Sequence, residues 1–283
     1  MAHSLPLNLD LIRRSLATRS LGHTLEWHEE IDSTNRRAVM LAQGDAAHGT
    51  VVLADSQTTG RGRLGRGWFS PPRTNLYCSV IVKGPLGAGR LAEWLSWLPL
   101  TASLGAAAAI ESVASVSVGV KWPNDLLVKD RKIGGILCES GSSPEGRQFQ
   151  IIGIGINVNG TRADFPPDLR GVATTIADES GDVVDLNVLV TRLIQELEHY
   201  LEDLDLNGSN SVAISYRSRC VTLGKSVRAS LPDGTEVVGV AEAIAADGSL
   251  HVAEIGHIPG NHRRMVPLRA ADIVHLRPTP AAD

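Results

Sequence analysis

Gly60-Arg61-Gly62-Arg63-Leu64-Gly65-Arg66-Gly67-Trp68 is the stretch on which the reading of this chain turns. It follows an apolar run at 50–54 and continues into Phe69-Ser70-Pro71-Pro72. Glycines let backbone N–H groups converge on an oxyanion, and guanidinium groups add bidentate hydrogen bonds to it. Gly60, Gly62 and Gly65 match the spacing of a dinucleotide-binding turn, but that turn must open a helix and the two prolines forbid one here. The kinase glycine loop has a similar pattern, yet no HRD or DFG partner follows. Gly224-Lys225-Ser226 looks like the end of a P-loop, but Arg219 stands where its first glycine should be. Residues 57–75 are therefore predicted as a loop. From 56 to 92 there is no acidic residue, while Arg61, Arg63, Arg66, Arg73, Lys83 and Arg90 supply six positive charges. A flexible solvated loop is the plain alternative; the Trp68-Phe69 end, suited to anchoring the loop or covering a bound ring, favours ligand binding.

Upstream, 7–18 has helical spacing and Thr24-Leu25-Glu26-Trp27 reads as a strand. Asp32-Ser33-Thr34-Asn35 offers N-caps before Ala38, Val39, Leu41 and Ala42. The run at 50–54 is predicted as a buried strand, and 76–82 as another. Downstream, 91–114 is predicted as a buried helix pair, kinked at Pro99. Strands follow at 117–122, 124–129, 132–140 and 147–157, the last rich in isoleucine and glycine. A helix over 185–205 and a shorter one to about 218 complete an α+β domain at 1–218. From 220 the pattern changes to short valine-rich runs, with Asp233-Gly234 and Asp247-Gly248 as hairpin turns. Residues 219–277 thus read as a small β-barrel domain, with 278–283 as a tail.

The composition fits a folded soluble protein: 283 residues, 43% hydrophobic, 20% charged, net charge −4. That balance argues against a chain that coats nucleic acid through bulk charge. Cys78, Cys138 and Cys220 lie far apart and form no CxxC pair, which argues against a thiolate zinc site or a disulfide framework and suits a reducing compartment. The nine histidines form no HxxxH pair, so no metal site is predicted. The start lacks a basic, then apolar leader, and Pro99 and Glu93 break the greasiest stretch, so a cytoplasmic location without membrane contact is expected.

Two further constellations carry chemistry. Lys121-Trp122-Pro123-Asn124-Asp125 places a proline corner between two strand-like runs, where Asn124 and Asp125 are either turn formers or ligand contacts. Lys132-Ile133-Gly134-Gly135 puts a cation beside a double glycine that a ligand can approach, unless it is an ordinary hairpin lysine. In Gly153-Ile154-Gly155-Ile156-Asn157, the amide of Asn157 either satisfies nearby backbone or reaches a nucleotide.

Taken in order, Ser33-Thr34-Asn35, Gln57, the 60–68 loop, Lys121-Trp122-Pro123-Asn124-Asp125, Lys132 with Gly134-Gly135 and Gly155-Ile156-Asn157-Val158 resemble the biotin–protein ligase family. The resemblance is strong over about 25–160 and architectural beyond. It implies an α+β, mixed-sheet catalytic domain of the biotin/lipoate ligase type with a small C-terminal SH3-like β-barrel. Only about 30 residues precede Ser33, so the short form without an N-terminal DNA-binding module is expected, and no DNA partner.

The implied reaction has two steps. The biotin carboxylate attacks the α-phosphate of ATP, giving biotinyl-5′-AMP and pyrophosphate, with Mg²⁺ brought by ATP. A lysine of a biotin carboxyl carrier domain of an acyl-CoA carboxylase then attacks the activated carbonyl. Like charges 4 Å apart repel by about 4 kcal/mol at an effective dielectric of 20, so cations must offset the first encounter. By the resemblance, Arg63, Lys132 and Asp125 are catalytic. Ser33, Thr34, Asn35, Gln57, Gly60, Arg61, Arg63, Lys132, Gly134 and Gly135 bind biotin, while Arg61, Arg63, Arg66, Trp68, Asn124 and Asn157 hold ATP and the adenylate. A monomer or weak homodimer is implied. A lipoate or octanoate ligase, a biotin-responsive transcriptional regulator and a noncatalytic binding domain remain as alternatives at this point.

Overall fold

A computed structural model describes residues 7–84, 91–254, 264–269 and 271–276. Arg90, residues 1–6 and the 278–283 tail lie outside the described residues.

Seven strands form one mixed sheet: β1 (Leu25–Ile31), β2 (Val51–Gln57), β3 (Asn75–Val82), β4 (Gly119–Lys121), β5 (Asp125–Val128), β6 (Arg131–Ser142) and β7 (Gln148–Asn157). Their spatial order is β1-β2-β3-β7-β6-β5-β4. Only β1 and β2 run parallel, joined by helix α2 (Thr34–Gln43), while every other neighbour is antiparallel. Alternation along the strands sorts side chains between two faces. Val52, Ile81 and Ile151 pack with Ala38 and Ala42 of α2 on one face. Val51, Leu53, Val80, Ile152 and Ile154 belong to the main core on the other, with α3 (Leu91–Val113) and α5 (Leu186–Asn207).

The 91–114 region is one continuous helix, not the expected pair. Pro99 lacks the N–H that would bond the preceding turn, but α3 is buried nearly all round, and packing against α5 outweighs that loss. The short N-terminal helix α1 is Leu9–Ser15, capped by the Asn8 side chain on the Leu11 amide, and the short helix α4 is Ile176–Ser180.

After α6 (Ser209–Arg219) the chain leaves the helical layer. Val221 donates to the Val120 carbonyl at 3.0 Å, so the crossing is pinned to β4. Five strands follow: β8 (Ser226–Ser230), β9 (Glu236–Ile244), β10 (Leu250–Glu254), β11 (Met265–Leu268) and β12 (Asp272–His275). They are antiparallel in the order β11-β10-β9-β8-β12. Among the described residues β11 and β12 do not pair, so the expected barrel is a barrel-like but open sheet. Pro267, with no N–H to give, suits β11 to an edge.

The core runs unbroken from the helical layer into this second sheet, taking in Val227, Ala241, Ile244 and Leu250. Two buried tryptophans spend their indole N–H groups across the junction: Trp97 on the Ala246 carbonyl at 2.7 Å and Trp122 on that of Gly248 at 3.0 Å. No helix among the described residues is long and apolar enough to cross a membrane.

Candidate active site

A cavity of about 930 Å³ opens on the α2 face of the large sheet, just beyond the helix N-terminus. Its floor follows from strand register. Gly135 of β6 pairs with Gly155 of β7, which pairs with Tyr77 of β3; two residues along, Leu137, Gly153 and Ser79 align likewise. Glycines at two successive inward positions of β7 remove the side chains that would fill the space. A methyl group on Gly153 would stand 2.0 Å from Asn35 Oδ1, and one on Gly155 2.6 Å from the Trp68 ring. The first glycine seats Asn35 and the second seats the indole.

One end of the cavity is neutral and hydrogen-bonding. The Ser33 hydroxyl makes no cap bond to its helix. Gln57 Oε1 instead accepts from the Thr34 amide at 2.9 Å and its hydroxyl at 3.2 Å, meeting one donor of the helix start. Gln57 Nε2 donates to Ser70, whose hydroxyl donates to the Trp68 carbonyl. The Ser79 hydroxyl lies 2.8 Å from Thr34 Oγ1 and 2.6 Å from Asn35 Oδ1.

The arginine stretch is a closed hairpin. Trp68 N donates to the Gly60 carbonyl and Gly62 N to that of Arg66, and the tip 63–65 makes a 3₁₀ turn with Leu64 and Gly65 at positive φ. Its cations are tied to three different places. Arg61 pairs with Glu139 at 3.1 Å, and Glu139 also accepts from Asn35 at 2.7 Å. Arg63 donates to Asn124 Oδ1 at 3.1 Å and to the Ala271 carbonyl at 3.4 Å. Arg66 pairs with Asp272 of the second sheet. Burial pulls the Arg63 guanidinium below its ordinary value, and the charges of Asp125 and Asp272 oppose that pull.

Lys132 is fixed at both ends. Its backbone is clipped by Val172 and Thr174, through Lys132 N to the Val172 carbonyl at 2.8 Å and Thr174 N to the Lys132 carbonyl at 2.9 Å. Its Nζ lies 2.6 Å from Asp125 Oδ1 and 5.3 Å from the Trp68 ring centre. Trp68 Nε1 is buried and has no hydrogen-bond partner. Asn124 Nδ2 donates to the Ile136 carbonyl at 2.7 Å, so this residue joins the hairpin to β6. Asn157 Nδ2 is spent on the Thr174 carbonyl at 3.1 Å, which is the local alternative raised by the sequence, although the residue still lines the cavity.

Of the predicted positions, Ser33, Thr34, Asn35, Gln57, Arg61, Arg63, Arg66, Trp68, Asn124, Asp125, Lys132, Gly135 and Asn157 line this one cavity. Gly60 and Gly134 do not; they stand in its backbone scaffold, where a methyl group would meet the Trp68 carbonyl at 2.5 Å and the Gly155 carbonyl at 3.0 Å. Sequence reasoning missed Glu139, Ser79, Asp272 and the floor role of Gly153. A two-residue glycine period inside an isoleucine strand was the available signal for the floor. Nothing local in the sequence marks Asp272, because its partner is 206 residues away.

Glu179 braces the site from behind. Its side chain is 2% exposed and accepts from Lys129 at 2.9 Å, Arg131 at 2.6 Å and Thr174 at 2.8 Å. Burial alone would raise its carboxyl, but those hydrogen bonds outweigh it and hold it at about 2, against an ordinary 4.5. A carboxylate with a depressed value stabilises the fold above the unfolded value, and that contribution is lost as pH falls from about 4.5 toward 2. Glu179→Gln is therefore expected to flatten the acid limb of a denaturant-stability curve between about pH 5 and 3. An unchanged limb rejects the assignment.

Gly155→Ala is expected to lift Trp68 from its seat. Overpacking of this kind costs about 1–3 kcal/mol, so ligand affinity at the cavity should fall about tenfold or more. Tryptophan fluorescence and calorimetric titration with biotin, the ligand that the sequence resemblance implies, check it; unaltered emission and affinity refute it.

The family model of the biotin/lipoate A/B protein ligases matches residues 27–159, the stretch that includes the basic glycine hairpin and the glycine floor. The biotin–[acetyl-CoA-carboxylase] ligase of Mycobacterium tuberculosis is 34% identical over 276 residues, covering 94% of this chain and 96% of that one. The bifunctional ligase/repressor BirA of Bacillus subtilis is 32% identical over 224 residues, 79% of this chain and 68% of its own. The biotin protein ligase of Aquifex aeolicus, solved in complex with biotin and ATP, superposes with a TM-score of 0.74 at 25% identity, covering 90% of this chain and all of that one. The chain belongs to the biotin protein ligase family.

Proposed function

We propose that this protein is an ATP-dependent biotin–[acetyl-CoA-carboxylase] ligase. It joins biotin to AMP and transfers the biotinyl group to a lysine of a carboxylase carrier domain. The observation that carries this reading is one cavity with two unlike ends. Neutral groups of Ser33, Thr34 and Gln57 suit a ureido ring, and Arg61, Arg63, Arg66 and Lys132 suit a carboxylate meeting a triphosphate.

In the first step a carboxylate oxygen bonds to the α-phosphorus and pyrophosphate leaves with the electron pair. Lys132 Nζ and the Arg63 guanidinium are assigned to hold the two approaching anions, where a dry site strengthens each contact. Asp125 orients Lys132 through their 2.6 Å pair. In the second step we assign Asp125 to receive the incoming lysine amine, and AMP departs. The unmet Trp68 Nε1 donor and the ring itself are assigned to the nucleotide side.

Mg²⁺ belongs to this proposal as an ion held by the phosphates. Among the described residues no group of three or more His, Cys, Asp or Glu is placed to bind a metal, and Asp125 and Asp272 at the cavity, with Glu139 beside Arg61, are each paired with a cation. That donor set suits a cation that keeps its waters and binds through substrate oxygens. A catalytic part at 1–218, a C-terminal part at 219–277 and a cytoplasmic setting complete the reading.

Incubation with labelled biotin, MgATP and a purified carrier domain tests it. Label on the carrier is expected, together with ATP–pyrophosphate exchange that depends on biotin. Exchange driven by lipoate or octanoate and not by biotin would overturn it.

A further inference from the structure

Strand alternation alone would turn Lys132 away from the cavity. Ile136 of β6 is buried in the main core, and a methyl group on Gly134 would stand 3.0 Å from Leu126 of that same core. A residue two before Gly134 would share their face in a regular strand. The pairing with β5 prevents this. Leu126 pairs with Gly134 but Leu127 pairs with Lys132, so Ile133 is the extra residue of a bulge, and it too is buried in the core. Lys132 thereby joins Gly135, Leu127 and Asp125 at the cavity. Bulges re-aim side chains in this way, and the aim is as firm as the hold on the bulged arm.

That arm reads Lys129-Asp130-Arg131-Lys132, three cations in four residues, and of the three only Lys132 lines the cavity. Lys129 and Arg131 are both drawn to Glu179 of α4, at 2.9 and 2.6 Å. The same buried carboxylate accepts from Thr174 Oγ1 at 2.8 Å. The Thr174 amide donates to the Lys132 carbonyl, and the Thr174 carbonyl accepts from Asn157. One carboxylate thus grips the residue before Lys132 and the residue that bonds its backbone, on two separate segments. Glu179 itself does not line the cavity.

We propose that Glu179 is a positioning residue for the adenylation step: it bolts the bulged arm of β6 to the 172–174 segment and so fixes where Lys132 Nζ stands. The assignment rests on the ligase reading above, in which Lys132 meets the two anions. Asp125 and Trp68 locate the ammonium at its far end, and Glu179 locates the backbone from which it grows. Glu179 also keeps Lys129 and Arg131 engaged behind the site, where bound anions would otherwise draw them. A misplacement of about 1 Å at a reacting group can cost about 10²-fold in rate, so a brace that touches no ligand still sets the rate.

The whole protein is assayed for biotin-dependent ATP–pyrophosphate exchange as Glu179→Gln, Thr174→Val and Thr174→Ser, the first two also combined with Lys132→Met. Glu179→Gln and Thr174→Val should lower kcat for exchange about tenfold while the KM for biotin stays within about twofold, and Thr174→Ser, which keeps the hydroxyl, should behave within about twofold of wild type. On the Lys132→Met background the same two changes should cost less than about twofold, because the group they aim is already gone. A merely structural brace would reduce exchange by equal factors on both backgrounds, and that result overturns the proposal. So does a kcat for Glu179→Gln within about twofold of wild type. Should Glu179→Gln fail to fold, the near-isosteric Thr174→Val decides alone by the same criteria. A wild-type protein without biotin-dependent exchange overturns the ligase reading and the positioning role with it. Normal wild-type exchange with additive or unaffected variants overturns the positioning role alone.

Discussion

Lys132→Met is expected to slow biotin-dependent ATP–pyrophosphate exchange by about 10²–10³-fold, the usual loss when one preorganised donor at a developing charge is removed. The fold should tolerate it. The Lys132 backbone bonds to Val172 and Thr174 are independent of the side chain, and methionine keeps an apolar stem while removing only the ammonium that lies over Trp68. The released Asp125 remains within the field of Arg63. Biotin binding without nucleotide should weaken far less than exchange, because the charge that Lys132 offsets is greatest when both anions are present. A fall in exchange below fivefold would remove Lys132 from the chemistry. Melting curves recorded alongside separate this from simple unfolding.

Arg63→Gly should affect retention more than synthesis. Arg63 ties the hairpin tip to Asn124 and to the Ala271 carbonyl. Removing it cuts both ties and adds a glycine beside Leu64, already at φ 55. Hydrogen bonds to charged groups contribute about 1.5–3 kcal/mol each, so release of biotinyl-adenylate should quicken by about 10–100-fold. Stopped-flow measurement of adenylate release is the check. Wild-type retention would show that the tip does not hold the intermediate.

Much of this fold was legible because its elements announce themselves locally. Strands β2, β3 and β7 are apolar runs of the right length, α5 repeats leucine at helical spacing, and the Asp233-Gly234 and Asp247-Gly248 turns sit where hairpins form. Helix α3 departed from expectation because Pro99 is a local signal, whereas the α5 packing that overrides it is not. The site was legible where motif residues are close in sequence. Glu139 and Asp272 were not, since a surface-type carboxylate gains meaning only from the arginine that tertiary folding brings to it. Asn157 shows the converse: a motif amide whose donor is spent on holding Thr174 in place.

The tryptophan donors that cross from α3 and from the end of β4 to carbonyls at 246 and 248 make the second sheet a poor candidate for exchange between proteins. Cutting the chain near 220 would strand two indole N–H groups in a dry seam and uncover the apolar wall behind them. Calorimetry of the intact chain should accordingly register one endotherm, and a graft of this sheet from a distant homologue would have to bring its own matching seam.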